Sequence, residues 1–102
     1  MGKFSRDKGN RGERAIVRMF QDAGIFAERV PLSGAAGGSY TGDLTIAVNG
    51  EDWLCESKVR ASGFASLYAW LGSNRALFVK ADRMPQLIVM RAEDFISAIN
   101  RK

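Results

Sequence analysis

A chain of 102 residues with 46% hydrophobic and 25% charged residues has the size and composition of one globular domain. Its single cysteine excludes an internal disulfide framework and a cysteine-rich zinc site. The absence of histidine excludes Ser-His-Asp and Cys-His triads, imidazole bases and His-bearing zinc sites. Any hydrolytic chemistry therefore falls to carboxylates, lysine and a hard metal ion. No apolar run reaches the roughly 18 residues that span a bilayer, and no signal-peptide pattern opens the chain. The expectation is one domain over 1–102, soluble and cytoplasmic. The net charge of +4 is unevenly placed, because residues 1–18 hold six basic side chains against two acidic ones and the remainder cancels. A local basic patch suits a polyanion such as nucleic acid, with a solvated helix face as the plainer alternative.

Residues 1–9 read as a flexible basic N-terminus. "NRGERAIVRMFQDAG" predicts a helix with Asn10 as N-cap and Gly24 as the stop. Ala15, Ile16, Met19, Phe20 and Ala23 share its apolar face, and Arg11, Arg14 and Arg18 form a stripe nearly opposite. Gly12 falls within the apolar face, where a missing side chain allows close approach to a sheet. "IFAERVP" predicts a strand ending at Pro31, followed by the Gly-rich loop "LSGAAGGSYTG". "DLTIAV", Asn49-Gly50 and "DWLCESKV" form a hairpin pattern, since Asn-Gly is the strongest short turn signal. "SGFASLYAWLGSN" predicts a short helix with Leu67, Trp70 and Leu71 inward. "RALFVKA" and "PQLIVMR" read as strands. "AEDFISAIN" closes as a helix with Glu93 and Asp94 near its positive end. The order αβββαββα defines an α/β domain.

One segment carries the chemistry. At a period of two, Leu54, Glu56 and Lys58 share a strand face, so a carboxylate and an ammonium occupy an otherwise apolar run where desolvating charge is costly. Antiparallel pairing through Asn49-Gly50 brings the region of Asp43 toward Glu56 and Lys58. Two carboxylates suit magnesium, which prefers oxygen ligands, and lysine suits orienting or deprotonating a water or neutralising charge on a phosphate. Ordinary residues on a half-exposed strand remain the alternative on spacing alone.

The blocks "GNRGERAIVRMF", "AERVPLSG", "GDLTIAVNG" and "WLCESKV", in this order, resemble successive blocks of the archaeal-type Holliday junction resolvases. These belong to the PD-(D/E)xK nuclease superfamily and have relatives in phages. The likeness runs from Gly9 to Lys58, and "ALFVKA" resembles a later family strand. It implies a restriction-endonuclease-like mixed central β-sheet flanked by helices and a homodimer. It also implies Mg2+ dependence, with Mn2+ able to substitute, and cleavage of four-way DNA junctions; a phage origin would put it in the host cytoplasm.

Carried over by residue, the resemblance implies Asp43 and Glu56 as metal-binding acids, Lys58 as the catalytic lysine and Glu13 as a helix-borne acid supporting the metal. Asn10-x-x-Glu13 is also a capping-box pattern, although Glu13 borders the apolar face. Ser33 corresponds to a serine that approaches the scissile phosphate, or to turn chemistry. Arg29 corresponds to a DNA-binding arginine, with a structural ion pair as its alternative. Lys80 corresponds to a lysine near the site, and Lys8, Arg11 and Arg14 complete the expected DNA contacts. Gly42 stands where the superfamily has proline, Ser57 where it has a hydrophobic residue, and the stretch from Lys58 to Ala76 matches poorly. Activity on a flap, a mismatch or plain duplex, or DNA binding without catalysis, are the rival readings. Trp53, Phe64, Tyr68 and Trp70 read as core or dimer contacts ahead of a base-stacking surface. Cys55 reads as a small buried residue.

Overall fold

The computed structural model describes residues 2–30 and 44–100, and of residues 2–11 the backbone alone. Two compact units divide the chain, Met1–Val59 and Arg60–Lys102. The first holds helix α1 (Gly2–Asp22) and strands β1 (Ala27–Arg29), β2 (Leu44–Val48) and β3 (Glu51–Cys55). The second holds α2 (Ala65–Leu71), β4 (Leu77–Val79), β5 (Leu87–Val89) and α3 (Ala92–Asn100). The class is α/β as expected, antiparallel sheets with flanking helices, and it is compatible with the restriction-endonuclease-like fold.

In the first unit the sheet order is β1-β2-β3, with Ala27 opposite Ile46 and Ile46 opposite Trp53. The turn that joins β2 to β3 explains this register. Asn49 and Gly50 have φ of 51° and 87°, the two left-handed positions of a type I′ turn, whose twist matches that of paired strands. Leu44, Ile46 and Val48 alternate onto one face and are buried with Ala27, Ile25 and Phe20. α1 covers this face by packing on β1 and β2.

Helix α1 ends as expected and begins elsewhere. The N–H of Ile25 donates to the Phe20 carbonyl and that of Gly24 to the Gln21 carbonyl, each at 2.9 Å, with Gly24 at φ 83°. This is a Schellman close, and it buries Phe20 and Ile25 together. The helix starts at Gly2, so Asn10 lies in its interior and is not the N-cap; residues 2–10 contain no proline to stop it. The covering stripe is also displaced from the expected one. Phe20 is buried and Glu13 and Ile16 are half-buried, whereas Ala15 and Met19 are exposed.

Strand β3 is shorter than "DWLCESKV" suggests. It ends at Cys55 opposite Leu44, the first described residue of β2, so Glu56 and Lys58 follow the ladder instead of standing within it. β3 is an edge strand of its sheet, and Trp53 and Leu54 are both substantially exposed.

In the second unit β4 and β5 pair antiparallel, with Phe78 opposite Ile88. Helix α2 buries Leu71 and half-buries Leu67, its neighbour one turn back, while Trp70 is 61% exposed and does not face inward. Leu67 and Leu71 are four apart and share one line along the helix; Trp70 sits off it. Tyr68 is exposed as well, so Trp53, Tyr68 and Trp70 are not core residues of this chain. Arg91 precedes α3 and ties down the end of α2 through Gly72 and Asn74 carbonyls, and also meets Asp94 at 3.6 Å.

Gly12 shows how closely α1 approaches the segment after β3. A Cβ placed there would lie 2.8 Å from Val59 Cγ2 and 3.6 Å from Ser57 Oγ. Helix propensity favours alanine over glycine by about 1 kcal/mol, so only this contact opposes the exchange. Gly12→Ala should therefore lower the melting temperature of the wild-type chain and raise it in a Val59→Ala background. Thermal unfolding of the four chains measures that sign reversal.

Candidate functional site

Of the expected site residues, Glu13, Arg29, Glu56 and Lys58 are described in the first unit, at or next to one end of its sheet. The terminal rung aligns Arg29 with Leu44 and Leu44 with Cys55. Glu56 is the next residue after Cys55 in the chain, and Asp43 the one before Leu44. Asp43 and Ser33 lie outside the described residues, as do the side chains of Lys8 and Arg11.

Two ion pairs mark this end. Arg29 Nε donates to Glu13 Oε1 at 3.1 Å, linking β1 to α1 across sixteen positions. Glu13 is 17% and Arg29 33% exposed at the side chain, so the pair is partly desolvated. Glu13 therefore leans toward the sheet, as its helical position predicted. The second pair joins Lys58 Nζ to Glu56 Oε2 at 2.9 Å, with both side chains about half exposed (56% and 43%). Glu56 and Lys58 escape the desolvation that a buried strand would impose, because they follow the ladder and stand in water. The opposition between charge and burial is thus resolved by exposure and pairing.

Helix and segment also touch beside these pairs. Gly12, the neighbour of Glu13, approaches Ser57, which lies between Glu56 and Lys58. Among the described residues no three His, Cys, Asp or Glu side chains form a metal-holding group. The donor chemistry itself fits a hard divalent cation. Glu13 and Glu56 offer carboxylate oxygens alone, and Glu56 is open to solvent.

Arg14 and Arg18 are exposed on α1, in keeping with a basic outer stripe. Lys80 belongs to the second unit, where its Nζ donates to the Ala81 carbonyl at 3.3 Å. Cys55 is half-buried, its Sγ donates to the Trp53 carbonyl at 3.5 Å, and burial pushes its thiol above the ordinary value.

Two features were not anticipated. One is the partner of Arg29: an ion pair stood as the alternative for this residue, but helix and strand spacing cannot say that Glu13 is the acid it meets. The other is an apolar pocket of about 380 Å³ in the second unit, between α2 and the β5–α3 corner, with Arg91 at its edge. Of its lining, Leu67 and Leu71 read from the sequence as the inner face of a helix and Phe64 as a core or dimer contact, and neither reading implies a pocket.

A helix with exposed arginines, backing a hairpin whose end carries acids paired to bases, is an arrangement suited to handling a nucleic-acid backbone. The archaeal Holliday junction resolvase (hjc) family matches residues 4–69, more than half of the chain, and the chain belongs to that family. Its class is thereby that of a DNA endonuclease of recombination, one that handles branched DNA. No curated protein and no solved structure matches it. No helix among the described residues is long and apolar enough to cross a membrane.

The two ion pairs differ in what their loss should do to stability. Arg29→Ala strands a partly buried carboxylate, and on the order of 1 kcal/mol should be lost, the figure for a fully buried pair being reduced by solvent access. Lys58→Ala removes an exposed partner and should change stability by less than about 0.5 kcal/mol. Urea unfolding of both variants measures the contrast. Cys55 supplies a separate check: its thiol should react with iodoacetamide at pH 8 more slowly in the folded chain than in urea.

Proposed function

We propose that this chain is a Mg2+-dependent, structure-specific endonuclease that resolves four-way DNA junctions by paired phosphodiester hydrolysis. Family membership supports the reaction class. The single observation that carries the residue assignment is the Glu56–Lys58 pair at 2.9 Å, immediately beyond the Leu44–Cys55 rung whose other chain neighbour is Asp43. Each of the two acids is one residue along the chain from a member of the same aligned pair.

In this reading Asp43 and Glu56 hold the cation, with Glu13 in support, and Mn2+ is able to replace Mg2+. A bound divalent cation supplies Lewis-acid polarisation of the scissile phosphate and compensation for its charge. Lys58 carries an ammonium beside Glu56, where it orients the attacking water or neutralises charge developing on the phosphate. Ser33 approaches the same phosphate. Hydrolysis leaves a 5′-phosphate. Arg14 and Arg29, together with Lys8, Arg11 and Lys80, meet phosphates of the junction arms, which makes affinity steeply salt-dependent.

The full 102 residues act as one nuclease domain in this account, and the molecule works as a homodimer. A two-fold dimer brings one site to each of two symmetric strands, the geometric requirement for paired nicks. The cytoplasm, of the cell or of a phage host, is the compartment where such DNA is met.

Cleavage of a four-way junction and of duplex with the same sequence, with magnesium and with EDTA, tests the proposal. The junction should be cut and the duplex spared, and EDTA should stop the reaction. Asp43→Asn should bind the junction yet lose cleavage by a factor of at least about 100. Normal cutting by that variant would remove Asp43 from the site, and equal cutting of duplex would remove the junction specificity.

A further inference from the structure

The Glu13–Arg29 contact joins two groups to which the proposed function gives opposite ligands, a cation for the carboxylate and a phosphate for the guanidinium. We propose that this pair is a masking contact: Glu13 occupies Arg29 until a divalent cation takes the carboxylate, and the guanidinium then engages DNA. Cation and junction thereby bind cooperatively. This inference rests on the roles proposed above for Glu13 and Arg29 and adds a coupling between them.

Geometry sets the mask. Arg29 Nε meets Glu13 Oε1 at 3.1 Å, and the partners belong to different elements, a helix and a strand sixteen positions away. Such a tie fixes the orientation of the guanidinium, unlike the exposed Lys58–Glu56 pair within one segment. Glu13 is the less exposed of the two partners. Its carboxylate is therefore largely withdrawn from water while in direct contact with Arg29.

Electrostatics supplies the exchange. A carboxylate that donates electron density to a divalent cation holds a guanidinium less strongly, and cation and guanidinium repel at short range. A phosphate offers the displaced guanidinium a charge-assisted acceptor, and one that a guanidinium can meet bidentately. Each ligand favours the state in which the pair is open. By linkage, whatever factor the cation adds to DNA affinity, DNA adds to cation affinity.

The experiment is a double-mutant cycle on binding of a fluorescein-labelled four-way junction, read by anisotropy at constant ionic strength, first in EDTA and then in calcium. Glu13→Gln should tighten metal-free binding by about fivefold, the lower range of ordinary coupling factors. That gain should vanish in an Arg29→Gln background. Calcium should tighten wild-type binding by a similar factor and have little effect once Arg29 is replaced.

An equal gain in both backgrounds would mean that Glu13 merely repels DNA, and would overturn the mask while leaving Arg29 at the interface. Weaker binding by Glu13→Gln, or no change, with Arg29→Gln still weakening it, would also overturn the mask, Glu13 then presenting Arg29 instead of hiding it. Unchanged affinity in Arg29→Gln would remove Arg29 from the DNA and with it the reading beneath. Circular-dichroism melts verify folding of each chain. Glu13→Asp, whose shorter arm loosens the contact, gives the same comparison should Glu13→Gln not fold.

Discussion

The register of the β2–β3 hairpin is the constraint on which the rest of the first unit depends. Side chains on a strand alternate, so a slip of one residue would carry Leu44, Ile46 and Val48 from the buried face to water. It would also move Cys55, and with it Glu56 and Lys58, off the rung that Arg29 and Leu44 define. The type I′ turn at Asn49-Gly50 opposes that slip, because two consecutive left-handed residues are available there. Burial of an apolar face and alignment of a charged cluster are thus secured by the same turn.

Helix α1 meets this sheet through neighbouring residues with opposite demands. Gly12 contributes the absence of a side chain, which lets the backbone close on Ser57 and Val59. Glu13 contributes a charge, which needs Arg29 as its counterpart once it is drawn toward the sheet. Close approach and charge compensation are not independent: the nearer the helix sits, the more water leaves Glu13 and the more the guanidinium matters. Fixing one residue's environment constrains the next.

Much of the first unit was legible because its signals are local. Asn49-Gly50 dictates a turn through backbone sterics, and Gly24 closes α1 by hydrogen bonds within six residues. The inclination of Glu13 toward the sheet followed from helical geometry. The start of α1 was not legible, since Asn10 is a good cap and an acceptable helical residue, and only the wider fold decides between them. The helix face was mislaid by one position because Ala15 and Met19 are apolar without being buried, while the polar Glu13 is drawn inward by Arg29.

The end of β3 escaped for a related reason: "ESKV" has strand-like alternation, but where a ladder ends is set between segments and is not written in one of them. For α2, aromatic bulk at Trp70 outweighed the Leu67–Leu71 spacing that sets its inner line. Of the site, the acids and the lysine were identifiable by type and order. Which base neutralises which acid depended on tertiary contacts.

Because the hairpin is aligned by its own turn, its registration does not rely on the length of chain between Arg29 and Leu44. Adding residues to such a connection raises the entropy of closing it only logarithmically. A longer or shorter connection there would therefore shift the stability of the sheet only slightly, and would leave Leu44 opposite Cys55.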